Sequence, residues 1–241
     1  MFTRRPLVYG HRGTSRAPEN TQRAFALALS EGADGVELDV RLSRDGIVVV
    51  VHDPDLTRVA GRPWRVAELD AHVLRHIDVG GDVIPTLDEV LDSLCPLEAR
   101  IHIEVKGDVP NRWSLVRAVS KLLSKRHPRE REQLVISSFW PGILAGLRIL
   151  GPPMTHAFLF DLEHTGMVRA AGLIRALRPE GLHPHHRACD SRSMARWHAR
   201  GLFVNAWTVD CPIEAQRLAR IGIDGIITND PAGILRALHR G

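Results

Sequence analysis

Cysteine is scarce: Cys95, Cys189 and Cys211 are the only three. They are too few and too scattered for a disulfide framework or a zinc-binding cysteine motif. No apolar run approaches the roughly 20 residues that a membrane-spanning helix needs. Met1–Pro6 carries two arginines with no apolar stretch behind them, so it does not read as a secretory signal, and a cytoplasmic setting is expected. No contiguous segment mixes exposed aromatic and basic residues, so membrane insertion is not expected. Lysine stands only at 106, 121 and 125, although the formal charge is +4. The basic residues are dispersed, and the tightest group, Lys125–Arg131, is interrupted by Glu130. This describes a solvated surface and argues against a nucleic-acid partner.

Hydrophobic residues make up 44% of the chain and charged residues 25%, which is ordinary for a globular core. The length suits one α/β barrel of about 250 residues, so 1–241 is expected to form a single domain. Short β-branched runs alternate with helical segments, which argues for a parallel sheet with βαβ crossovers. The strand candidates are Leu7–Gly10, Gly35–Val40, Ile47–Val51, Ile101–Val105, Leu134–Ser138, Ala157–Phe160, Gly181–His183, Phe203–Thr208 and Gly225–Thr228. The helix candidates are Thr21–Glu31, Thr86–Leu94, Trp113–Arg126, Pro141–Leu150, Glu163–Leu177, Ser191–Arg200, Ile213–Ile221 and Pro231–His239. The third strand follows the second too closely for a parallel crossover, and Asp45-Gly46 lies between them as a two-residue hairpin turn. Folding it back leaves eight strands for a (β/α)₈ barrel, with an antiparallel hairpin after the second strand and an insertion over about 54–85.

Glu37 and Asp39 are two apart on one strand and share a face. A turn at Asp45-Gly46 makes facing residues sum to 91, which sets His52 opposite Asp39. Val36, Leu38 and Val40 alternate with the acids, so the acids point into the barrel, where carboxylates without partners are costly. Polar residues recur at other strand ends: His11-Arg12, Glu104 and Lys106, Ser137-Ser138-Phe139, and Asn205 to Thr208. The carboxyl-terminal face of such barrels carries the active site. Three carboxylates suit a hard divalent cation such as Mg²⁺ or Ca²⁺; zinc would recruit His or Cys, and the first strand has no His-x-His. Arg12 and Lys106 offer positive charge to phosphoryl oxygens, and two histidines can move protons near neutral pH. Together these parts describe metal-assisted phosphodiester cleavage. Glu104 and Lys106 could instead neutralise each other as an internal ion pair. His183, His185 and His186 sit at a strand end with no carboxylate beside them in sequence, and their part is open. Asn20 suits a cap for the helix after it.

His11-Arg12-Gly13, Pro18-Glu19-Asn20-Thr21, Glu37-Leu38-Asp39-Val40, Asp45-Gly46 and His52-Asp53 resemble the signature of the glycerophosphodiester phosphodiesterases, and most closely the compact cytoplasmic bacterial type. Glu104-Val105-Lys106, Ser138-Phe139, Asn205-Ala206-Trp207-Thr208-Val209 and Thr228-Asn229-Asp230-Pro231 continue the pattern in order. The resemblance implies a (β/α)₈ barrel and hydrolysis of a small glycerophosphodiester to an alcohol and sn-glycerol 3-phosphate. It implies metal ligation by Glu37, Asp39 and Glu104, and acid–base roles for His11 and His52. It also implies substrate contacts from Arg12, Lys106, Phe139 and Trp207, with Glu19 and Asn20 in the same motif set. Thr57-Arg58-Val59-Ala60 departs from the family's usual continuation after His52-Asp53. Phospholipase C or sphingomyelinase D relatives on the same barrel, and a catalytically inactive phosphodiester-binding barrel, are the alternatives. The first usually act at membranes or outside cells, and the second would have lost a member of the set.

Overall fold

The computed structural model describes residues 5–239; Met1–Arg4, most of the segment read above for an export signal, lie outside them. Eight parallel strands close into a barrel: β1 (Leu7–His11), β2 (Gly35–Leu42), β6 (Arg100–Val105), β7 (Leu134–Ser138), β8 (Thr155–Phe160), β9 (Gly181–Pro184), β10 (Phe203–Ala206) and β11 (Gly225–Thr228), with β11 and β2 both pairing β1. The short β3 (Val48–Val50) runs antiparallel on β2, as the hairpin argument requires. Helices follow the strands: α1 (Gln22–Ser30), α4 (Leu87–Leu94), α5 (Arg112–Lys125), α7 (Pro141–Leu150), α9 (Met167–Leu177), α10 (Ser191–His198), α11 (Pro212–Arg220) and α12 (Pro231–His239). Short turns α6 (Pro128–Arg131) and α8 (Leu162–Thr165) lie between them. The expected helix 163–177 is broken at Gly166, whose φ of +69° a continuous helix does not accept.

The alternation seen in the sequence sorts the barrel into two layers. Val36, Leu38, Val40, Ile101, Ile103 and Val105 pack outward beneath the helices. The alternate residues fill the interior, where Tyr9 and His102 meet at 4.2 Å between ring centroids and His102 stacks on His183 at 4.9 Å. The Phe203 ring also packs there; a Cβ on Gly181 would collide with it, which is why glycine opens β9.

The insertion is more ordered than a loop. It contains a two-stranded sheet, β4 (Asp55–Leu56) with β5 (Arg62–Arg65), and the short helices α2 (Thr57–Ala60) and α3 (Ala71–Leu74). Val49 and Val51 from the hairpin pack with Leu56, Val66 and Leu74 in a second apolar cluster. β3 and the residue after it thus serve two cores: Val48 and Val50 turn to the barrel, and Val49 and Val51 turn to the insertion.

The buried histidines have a consequence for acid stability. Burial holds His183 down to about 3 and His102 well below its ordinary value. Both rings are neutral when folded, whereas the unfolded chain takes up two protons below about pH 6.5. Their stabilising effect is therefore full above that pH and is lost as pH falls. Between pH 7 and pH 5 the two rings together should reduce stability by roughly 3–4 kcal/mol. Denaturant unfolding at both pH values checks this, and unchanged stability would contradict it.

Candidate active site

Register brings the carboxylates together. His11 pairs Glu37 across β1–β2, and Asp39 pairs Glu104 across β2–β6. Glu37, Asp39 and Glu104 offer oxygens that all lie within 4.8 Å of one another, in the upper barrel interior. Glu37 and Glu104 border a cleft of about 220 Å³ whose walls include His11, Arg12, His52, Lys106, Phe139 and Trp207, with Asp39 buried behind them.

Three buried carboxylates face two cations. Lys106 Nζ lies 2.8 Å from Glu104 Oε1 and 3.2 Å from Asp39 Oδ1, and Arg12 Nε lies 3.2 Å from Asp39 Oδ2. The Glu104–Lys106 ion pair read from the sequence therefore exists, and Asp39 shares it. Burial alone would raise Asp39, but Lys106 and Arg12 outweigh it and hold that carboxyl well below its usual range. Burial pushes Glu104 up to about 7, opposed by Lys106. Among the described residues Glu37 accepts only the Arg12 backbone N–H, at 3.2 Å, and faces His11 Nε2 at 3.9 Å. Burial, with Asp39 and Glu104 beside it, raises its pKa well above the ordinary value. A cluster with more buried carboxylates than cations favours a further cation, and an all-oxygen donor set suits a hard divalent ion.

Each histidine is held at Nδ1. His11 Nδ1 lies 2.8 Å from Asn229 Oδ1, and Asn229 Nδ2 donates to Asp210 Oδ2 at 2.7 Å. The amide is oriented by Asp210, so its oxygen faces the ring and His11 carries its hydrogen on Nδ1. His52 Nδ1 lies 2.7 Å from Asp53 Oδ1. In both rings Nε2 is left to the cleft. Burial, with Arg12 adding to it at His11, lowers both pKa values.

His52 does not arrive by the expected pairing. Facing residues in the hairpin sum to 90, as in Val40↔Val50, so the register is one residue away from the sequence expectation. The turn is a three-residue loop, Arg44-Asp45-Gly46. Gly46 N–H donates to Ser43 O, and Gly46 takes a φ of +80°, as expected for a type I turn with a left-handed third residue. Asp39 O thus accepts from Val51 N–H, and His52 reaches the site because the chain leaves β3 there. Arg41 Nε donates to His52 O at 2.8 Å and fixes that exit.

Glu19 and Asn20 were expected among substrate contacts, and the structure gives both of them protein partners. Asn20 Nδ2 donates to Asp39 Oδ2 at 2.9 Å while its Oδ1 accepts from Asp39 N–H, so Asn20 braces a carboxylate. It does not cap α1; Thr21 does, accepting from Ala24 N–H. Asn20 and Arg12 both hold left-handed backbone, φ +59° and +52°, in a connection that Asn20 N–H closes onto Arg12 O. Such conformations are sparsely populated and persist where surrounding bonds impose them.

Glu19 lies 3.2 Å from Arg12 Nη1 and accepts two bonds from Arg58, of 2.6 and 2.7 Å. Arg58 Nε also donates to Asp53 Oδ2 at 2.7 Å. Arg58 therefore ties the insertion to the β1–α1 connection and reaches both Arg12 and His52 through one carboxylate each. Replacing Arg58 by Ala should cut turnover about 10–100-fold, the usual effect of losing a group that orients a reactive residue. If Arg58 acts through Asp53, Arg58→Ala combined with Asp53→Asn should fall little below Asp53→Asn alone. Additive losses would show two separate roles.

The remaining histidines divide. His183 lies on the cleft floor with Nε2 3.3 Å from Asn205 Nδ2 and, among the described residues, no carboxylate beside it. His185 packs edge-on against Trp207, which in turn meets Phe139 edge-on. His186 does have a carboxylate, supplied by Glu214, 28 positions further along, at 2.7 Å. Sequence reasoning gave no role to Asn229, Asp210, Asp53 and Arg58. The first was visible as a polar residue just beyond the eighth barrel strand; Arg58 had no local signal.

A family model, the glycerophosphoryl diester phosphodiesterase family, matches residues 11–233. The chain belongs to that family. It is accordingly a phosphoric diester hydrolase acting on glycerophosphodiesters. A glycerophosphodiester phosphodiesterase from Caldanaerobacter subterraneus subsp. tengcongensis is 30% identical over 98% of both chains. Among solved structures, the glycerophosphodiester phosphodiesterase of Thermotoga maritima is 30% identical, with a TM-score of 0.82 over 97% of this chain and 99% of that one. A phosphodiesterase from Oleispira antarctica, solved with the product sn-glycerol-3-phosphate, is 27% identical, with a TM-score of 0.86 over 98% and 97%. No helix among the described residues is long and apolar enough to cross a membrane.

Proposed function

We propose that this chain converts glycerophosphodiesters and water to an alcohol and sn-glycerol 3-phosphate, as a cytoplasmic, single-domain enzyme dependent on Mg²⁺ or Ca²⁺. The observation that carries the reading is a pair of histidines, each fixed at Nδ1, beside three buried carboxylates that outnumber their cations. Glu37, Asp39 and Glu104 would hold the divalent ion, which when bound supplies positive charge to the phosphoryl oxygens. Arg12 and Lys106 add fixed positive charge on the same group. Phe139 and Trp207, perpendicular to each other, wall the cleft against water. The free thiols of Cys95, Cys189 and Cys211 suit a reducing compartment.

The histidines differ in what holds them. The neutral amide of Asn229 keeps His11 in the tautomer with Nε2 unprotonated, ready to take a proton from the attacking oxygen. Burial lowers the pKa of His52 while Asp39 and the hydrogen-bonded Asp53 oppose it, so an added negative charge at Nε2 tips the ring to the imidazolium that donates to the departing alkoxide. The anionic phosphodiester favours that form further.

Release of glycerol 3-phosphate from glycerophosphocholine should require Mg²⁺ or Ca²⁺ and stop with EDTA. Folded protein that releases none from choline, ethanolamine, inositol or glycerol diesters with either ion would overturn the proposal in favour of a binding module.

A further inference from the structure

The exposed tryptophans of the chain share one arc of the barrel mouth. Trp197 is buried and Trp207 lines the cleft, whereas Trp64, Trp113 and Trp140 are 44%, 55% and 41% exposed. Trp64 lies on β5 of the insertion, Trp113 in the first turn of α5, and Trp140 immediately before α7. Helices that follow barrel strands begin at the catalytic face, and the insertion leaves the barrel at His52, so all three stand on the rim. Their sectors adjoin, because β2, β6 and β7 are neighbours in the barrel. The insertion and the β6–α5 connection also face each other across a groove that Arg65 and Asn111 help line.

Arginine accompanies each aromatic sector. Arg62 lies over the Trp64 ring at 5.2 Å and Arg112 over Trp140 at 3.6 Å. Among the described residues Arg62, Arg65 and Arg112 form no salt bridge, although Arg65 stands opposite Asp55 across β4–β5 and helps to lower its pKa. Half-exposed tryptophan beside arginine held outside salt bridges is the composition of a surface that sits at a lipid–water boundary. The ring prefers the head-group depth, and the guanidinium meets lipid phosphate.

We propose that this rim docks the enzyme on an anionic lipid surface, with the cleft turned toward the head groups. The occupant is chosen by charge complementarity and by the position of the patch around the mouth. The expectation that no segment mixes exposed aromatic and basic residues is corrected here, because Arg62–Arg65 is exposed along its whole length; the other two tryptophans come from two separate connections. Docking itself does not depend on the catalytic roles assigned above; only the statement that the docked face is the reactive one rests on them.

The test is co-sedimentation of the full chain with vesicles of phosphatidylcholine, with and without phosphatidylglycerol. Pelleting should require phosphatidylglycerol and weaken in high salt. Arg62→Glu with Arg65→Glu should lower the partition coefficient about 30-fold or more, at a fewfold for each arginine near such a surface. Trp64→Ser should lower it further. Turnover of soluble glycerophosphocholine by these variants should stay within about twofold of wild type, because none of the three residues borders the cleft. Wild type left in the supernatant with phosphatidylglycerol vesicles at low salt would overturn the proposal, as would unchanged pelleting of the double arginine variant. Displacement from vesicles by an oligonucleotide that binds more tightly would also overturn it, pointing to a nucleic-acid surface. Loss of glycerophosphocholine turnover alone would leave docking standing and fault only the catalytic reading.

Discussion

His11→Ala should lower turnover of glycerophosphocholine by roughly 10²–10⁴-fold, the range expected when a positioned proton-transfer group is removed. His52→Ala should cost a similar factor on the same substrate. The two variants should part company on a diester whose leaving alcohol is p-nitrophenol. That leaving group departs without protonation, so His52→Ala should recover much of its loss while His11→Ala should not. The expectation follows from what holds each ring: Asn229 at His11, and Asp53 at His52. Steady-state rates on the two substrates decide it. Recovery of His11→Ala in place of His52→Ala would exchange the roles. Neither side chain is a core residue, so melting temperatures should change little and the loss should be catalytic.

The divalent ion should also be visible without turnover. Among the described residues Glu37 has no lysine or arginine side chain within ion-pair distance, and its pKa is raised by burial and by Asp39 and Glu104. A divalent cation relieves that repulsion and binds the folded chain alone. At a hundredfold excess over its dissociation constant it stabilises by about 2.7 kcal/mol, worth roughly 5–10 °C in melting temperature for a chain of this size. Glu104→Gln should abolish most of the shift and most of the metal-dependent turnover together. A folded Glu104→Gln protein that keeps both would remove Glu104 from the ligand set. A wild type whose melting point ignores Mg²⁺ and Ca²⁺ would contradict the site as a whole.

The hairpin shows how far local pattern reaches and where it stops. Asp45-Gly46 marked the reversal, and β3 does pair antiparallel with β2. Yet the turn holds three residues, and the pairing sum is 90 where the two-residue form would make it 91. Composition favours glycine in either turn; in the three-residue form Ser43 Oγ donates to Ile47 O and accepts from Ile47 N–H. His52 survives the slip because it lies beyond the last paired residue, where register no longer sets direction. Asn20 carries the opposite lesson. Its place before a helix suggested a cap, but Asp39 is an acceptor it meets only in the folded barrel, and Thr21 takes the cap.

The insertion held the least information in its sequence. Its short strands and helices are stabilised by the apolar cluster with Val49 and Val51, which no window of the insertion contains. Arg58 likewise gains meaning only when Glu19, 39 positions earlier, is brought within 2.6 Å.

By itself the sequence determined the strand and helix succession, the inward face shared by Glu37 and Asp39, and the placing of Glu104 and Lys106 on another strand end. These follow from periodicities of two and 3.6 residues, which are local properties of the backbone. Only the tertiary structure decided which polar residues meet. It chose Asn229 for His11, Asp53 for His52, Asn20 for Asp39 and Glu214 for His186. It also gathered three distant tryptophans on one rim. The physical reason is that hydrogen bonds and ion pairs act over about 3 Å. Such distances between residues remote in sequence exist only after the barrel has closed.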